Sequence, residues 1–110
     1  MSEALRVLGQ VAPAAATDTT LYTVPAARAL VSSRLNICNR GGVAGTFRVA
    51  VRPAGAAIVN AHFLLFDVSL AANSTYFDPP GITMAATDVI TVRASTAGFT
   101  FQLFGSEVVV

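Results

Sequence analysis

The stretch Thr46-Phe47-Arg48-Val49-Ala50-Val51-Arg52-Pro53 decides how the rest of the chain is read. Phe47, Val49 and Val51 alternate with Thr46, Arg48, Ala50 and Arg52. A period of two puts one apolar face and one polar, Arg-bearing face on an extended strand. Pro53-Ala54-Gly55 closes the strand, because proline has no N–H to give to a sheet ladder. On the other side, Asn39-Arg40-Gly41-Gly42 is a turn cluster whose glycines take positive φ at little cost. Before that cluster, Val31, Leu35 and Ile37 alternate with Ser32, Arg34, Asn36 and Cys38. The two alternating runs are expected to pair as an antiparallel hairpin.

Strand signals continue outward in both directions. Ala4 to Val11 and Thr19 to Val24 precede the pair. His62 to Asp67, Ser74 to Asp78, Asp88 to Ser95 and Phe99 to Val109 follow it. Pro13 and Pro79-Pro80-Gly81 interrupt any continuing strand. Met84 to Asp88 reads as a tight turn in which Asp88 supplies local hydrogen bonds. Ala26 to Leu30 reads as a single helical turn. No helical period is sustained elsewhere, and turn chemistry recurs roughly every 8 to 14 residues. The expectation is an all-β chain. It is a single-domain antiparallel β-sandwich over residues 1–110, jelly-roll-like, with about eight short strands.

Composition narrows the function classes. Only 12% of the 110 residues are charged, and the formal net charge is +1. That is about half the ~25% usual for soluble domains. A chain 54% apolar with so little charge is not intrinsically disordered. It also has no basic field to draw it to nucleic acid or acidic lipid. No segment reaches the ~18 uninterrupted apolar residues of a membrane helix. The start Met1-Ser2-Glu3-Ala4-Leu5-Arg6 does not read as a secretory signal, so a chain made in a cytosol is expected. One cysteine, Cys38, leaves no internal disulfide. So apolar a small domain is expected to bury surface against a partner.

Candidate chemistry is thin. Cys38 and His62 are the only thiol and the only imidazole, and neither sits in a nucleophile motif. The acids Glu3, Asp18, Asp67, Asp78, Asp88 and Glu107 are scattered near strand ends and turns. They lack the close spacing of a calcium loop, and zinc would need more His and Cys. No catalytic residue, cofactor or metal ligand is therefore assigned. Arg48 and Arg52 share one strand face, with Arg34 expected beside them on the paired strand. Their bidentate forks suit a partner's carboxylate or carbonyl groups. Val108, Val109 and Val110 are unusually apolar for a chain end and read as a strand docked on its own sheet or on a neighbouring subunit. Asn73, Tyr76 and Asp78 are the one local cluster suited to a sugar.

Several stretches resemble small virion proteins of tailed bacteriophages and prophages. They are Leu21-Tyr22-Thr23-Val24-Pro25, Asn36-Ile37-Cys38-Asn39, Thr46 to Gly55, and Ala94-Ser95-Thr96-Ala97-Gly98-Phe99. The resemblance spans about Thr19 to Glu107 and carries no catalytic signature. It implies a β-sandwich structural component of the virion, assembled in the host cytoplasm. The first expectation is a capsid decoration (cement) protein, a homotrimer that binds the major capsid protein or other virion proteins, and neither nucleic acid nor membrane. The alternative is a tail, baseplate or fibre component that recognises a host glycan.

Overall fold

The computed structural model describes residues 3–78 and 82–109, with the side chains of 7–30, 34–77 and 82–109. Nine strands are described: β1 (Glu3–Val11), β2 (Thr19–Thr23), β3 (Arg28–Asn39), β4 (Gly45–Arg52), β5 (Phe63–Leu70), β6 (Ser74–Asp78), β7 (Thr83–Met84), β8 (Val89–Ala94) and β9 (Phe99–Val109). One antiparallel sheet has the order β1-β9-β3-β6, with the two-residue β7 also on β3. The other has the order β2-β8-β4-β5. Leaving out β7, consecutive strands from β1 to β5 mostly change sheet, and the late strands β8 and β9 insert between early ones. This is the double-sheet jelly roll of the all-β expectation.

Alternation explains which face each strand buries. Along β9, Phe99, Phe101, Leu103, Gly105 and Glu107 are buried, while Thr100, Gln102, Phe104, Ser106 and Val108 point away from the core. Leu35 and Ile37 on β3, and Phe47 and Val49 on β4, meet them inside. Phe47 bridges the sheets. Its ring centroid lies 5.5 Å from Tyr76, 6.1 Å from Phe99 and 6.3 Å from Phe101. Such tilted and edge contacts add to the gain from burying the rings.

The hairpin expectation fails. β3 pairs with β9, β6 and β7, whereas β4 pairs with β5 and β8, so the two runs lie in opposite sheets. A period of two says that each strand has one wet and one dry face, but not which strand supplies its ladder. The segment between them arches over the end of the sandwich. Asn39, fully buried, donates through Nδ2 to Val43 O (2.9 Å) and Leu70 O (3.2 Å), and its Oδ1 accepts from Gly41 N (2.9 Å). The Arg40 N–H donates to Gly98 O at 2.8 Å. Here glycine keeps the arch closely packed, since a Cβ on Gly98 would lie 3.0 Å from the Gly41 backbone and crowd it.

Two smaller expectations also change. Ala26 to Leu30 is not a helical turn: Ala27 takes φ 62° in a tight turn and β3 starts at Arg28. The strand read as His62 to Asp67 runs from Phe63 to Leu70, with His62 in a short 3-10 turn before it. The Met84 to Asp88 turn is present. Asp88 accepts from Ala85 N and Ala54 N, both at 2.9 Å, and ties two loops together.

Candidate functional site

The three arginines do not form one patch. Arg48 and Arg52 lie on the outer face of the β2-β8-β4-β5 sheet, and Arg34 lies on the outer face of the other sheet. Their donors are largely committed within the chain. Arg48 grips Asp67 through Nε (2.6 Å) and Nη2 (3.2 Å), and its guanidinium sits 4.2 Å from the Phe66 ring centre. That hydrogen bond holds the Asp67 carboxyl below the ordinary aspartate range and pushes Arg48 upward. Arg52 donates to Thr91 Oγ1 (3.1 Å) and to the carbonyls of Gly55 and Ala56 (3.2 and 3.1 Å), pinning the turn after β4. Arg34 stacks over Phe77 at 4.9 Å. On the same charged face Arg93 stands directly opposite Arg48 and reaches Asp18 at 3.5 Å. A depression of about 240 Å³ between Arg48, Asp67, Arg93 and Ser95 is thus ringed by guanidiniums already paired with carboxylates.

Beside this face runs the edge strand β5, which among the described residues pairs only with β4. Leu64 and Phe66 are exposed at 48% and 53%, and Val59 just before the strand at 54%. Phe63 meets Phe66 edge-on, with ring centres 4.9 Å apart. An apolar edge strand is what soluble monomers normally cover or charge. Two shifts of register against β4, and Asp67 at φ 50°, bend this edge without removing its apolar side chains.

The outer face of the β1-β9-β3-β6 sheet has a different chemistry. Register places Gln10 of β1 opposite Gln102 of β9, Gln102 opposite Asn36 of β3, and Asn36 opposite Phe77 of β6. In the next row Cys38 lies between Thr100 and Thr75. Residues of both rows line a groove of about 350 Å³, bounded by Asn36, Cys38, Thr75, Phe77, Thr100 and Gln102. A second hollow, of about 290 Å³, continues it past Gln102 to Gln10.

Other candidate residues are dispersed. Cys38 is half-buried on that face, whereas His62 belongs to the turn before β5 in the opposite sheet, its Nδ1 accepting from Val59 N at 3.3 Å. Tyr76 faces the core and Asn73 occupies a turn at φ 57°, so these two do not join as a sugar site; the Asp78 side chain lies outside the described residues. Val108 pairs with Glu3 and Ala29, and Val109 with Arg28, so the end of β9 docks centrally in its own sheet. Val110 lies outside the described residues. Among the described residues, no three His, Cys, Asp or Glu side chains gather where a metal could bind.

Glu107 lies near a strand end as the sequence reading has it, but its burial was not foreseen. It is fully buried, accepts a hydrogen bond from the Tyr22 hydroxyl and lies 3.9 Å from Arg28 Nη1. Tyr22 belongs to the opposite sheet, so the pair ties the two layers together. The alternation Phe99, Phe101, Leu103 extended to 107 would have predicted this inward position.

The fold and these faces define a jelly-roll β-sandwich with one outer face of paired charges, one neutral outer face and an apolar edge strand. The sequence matches no protein-family model, and no significant similarity to a curated protein or a solved structure is found.

Proposed function

We propose that this chain is a virion structural protein, a capsid decoration (cement) protein that binds and stabilises the major capsid lattice as a homotrimer. The observation that carries the reading is the apolar edge strand β5, with Leu64, Phe66 and Val59 exposed on a molecule only 12% charged. The resemblance of its strand and turn sequences to small phage virion proteins supports the same reading. Each contact works by interface burial, at about 25 cal/mol per Å² of apolar area, repeated over many copies in a shell. Arg48 contributes to this surface by holding the Phe66 ring rather than by offering an open guanidinium. A tail, baseplate or fibre component is the second reading, favoured by the neutral groove on the opposite sheet.

The test is to heat particles with and without the protein and follow genome release. A lower release temperature without it is expected, restored by the wild-type chain and not by Phe66→Asp. Equal release temperatures refute the cementing role.

A further inference from the structure

We propose that the outer face of the β1-β9-β3-β6 sheet is a binding groove for a neutral carbohydrate, in which Gln10, Gln102 and Asn36 read ring hydroxyls and Phe77 takes the apolar face of a sugar ring. The inference does not rest on the cementing role, which uses the opposite sheet, and the two can fail separately.

The first argument is the side-chain chemistry of the row. Adjacent strands lie about 4.8 Å apart, so three carboxamides in register present donors and acceptors at the spacing of the sheet itself. Each carboxamide carries two N–H donors and an acceptor oxygen. A sugar hydroxyl both donates and accepts, so two neighbouring hydroxyls match one carboxamide. Isolated carboxamides are ordinary surface residues. Three directly opposite one another across β1, β9 and β3 are a continuous hydrogen-bonding strip.

The second argument is that the strip is not satisfied internally. Asn36 Oδ1 on β3 is buried and has no hydrogen-bond partner among the described residues, and the same holds for Ser106 Oγ on β9, further along the outer face of the sheet. Buried polar atoms are nearly always paired, and each exception asks for an explanation. The Asn36 amide lines the groove, and by turning toward it brings Oδ1 within reach of a ligand hydroxyl that supplies the missing donor.

Charge and shape select the ligand class. Among the described side chains of this face only Arg34 is charged, and it lies at the margin, spread over the Phe77 ring. All the lining residues of the groove, Asn36, Cys38, Thr75, Phe77, Thr100 and Gln102, are uncharged. An anionic ligand would find no counter-charge at the centre, and a purely apolar one would strand the carboxamides. Phe77, 55% exposed at the end of the row, offers the flat apolar surface on which sugar C–H groups pack. The groove volume of about 350 Å³ lies at the lower end of the range for small-ligand sites.

The test uses the purified full chain on a printed array of neutral hexose and N-acetylhexosamine oligosaccharides. The strongest hit is then titrated by calorimetry. Binding is expected, and Phe77→Ala and Gln102→Ala should each weaken it by about tenfold or more. Gln10→Ala, at an exposed position that leaves the fold intact, should weaken it by a smaller factor. Phe66→Asp on the other sheet should leave it unchanged. Unaltered thermal melting of Gln10→Ala and Phe77→Ala separates lost contacts from lost structure. No binding to any neutral oligosaccharide overturns the proposal. So does a hit confined to acidic sugars, or one that both Phe77→Ala and Gln102→Ala leave unaltered.

Discussion

Replacing Asn39 by alanine tests the crossover that joins the two sheets. Its buried side chain makes three hydrogen bonds, to Val43 O, Leu70 O and Gly41 N, and these hold the arch between β3 and β4. At about 1 kcal/mol per bond, and more where a group is left buried and unpaired, Asn39→Ala should cost about 3 kcal/mol. With an unfolding entropy of about 2.1 cal/mol/K per residue over 110 residues, Tm should fall by about 13 °C. Asn39→Asp should cost more. It keeps the acceptor for Gly41 N but loses both donated bonds, and it sets a buried carboxylate against two carbonyl oxygens. The assay is equilibrium urea unfolding followed by circular dichroism, with the slope m checked to confirm a two-state transition. In a hairpin between β3 and β4 this residue would sit at an exposed turn, where substitutions change stability by less than ~0.5 kcal/mol. A wild-type midpoint for both variants would refute the arch.

Gly9→Ala should destabilise severely, since its Cβ would lie 2.3 Å from Leu21 O, whereas Gly42→Ala, with nothing within 4 Å, should leave the melting temperature unchanged. Tyr22→Phe removes the hydroxyl that bonds the buried Glu107 carboxyl across the sheets and should lower stability by about 1.5–3 kcal/mol in urea unfolding. Asp67 is held below its ordinary value of 3.8 by the Arg48 hydrogen bond, so its contribution is complete above that value and is lost as pH falls through the lower folded-state value. Melting of wild type and Asp67→Asn should therefore differ at neutral pH, with wild type the more stable, and converge under strongly acidic conditions. Leu64→Lys with Phe66→Lys should abolish association measured by light scattering while leaving the fold intact, because both side chains are already half exposed; an unchanged mass would exclude the β5 edge as the contact.

How much was legible varies residue by residue. Alternation through Thr46 to Arg52 and Phe99 to Val109 was enough to read strands, their buried faces and the all-β class. The turn residues around Gly41 and Asp88 marked the breaks between them. The same alternation contained the inward position of Glu107, obscured only because a carboxylate near a chain end is ordinarily taken as solvated. The carboxamide row was not legible. Gln10, Asn36 and Gln102 are separated by 26 and 66 positions in the chain and meet only through the registers of β1 with β9 and β9 with β3.

Local patterning thus determined that this chain is strand-forming and poor in charge, because period and composition are properties of neighbouring residues. Only the tertiary structure decided that β3 and β4 part company, that Arg34 leaves Arg48 and Arg52, and that β5 becomes an apolar edge. A ladder is formed between strands distant in sequence, and its partners are chosen by how two sheets can close over one core.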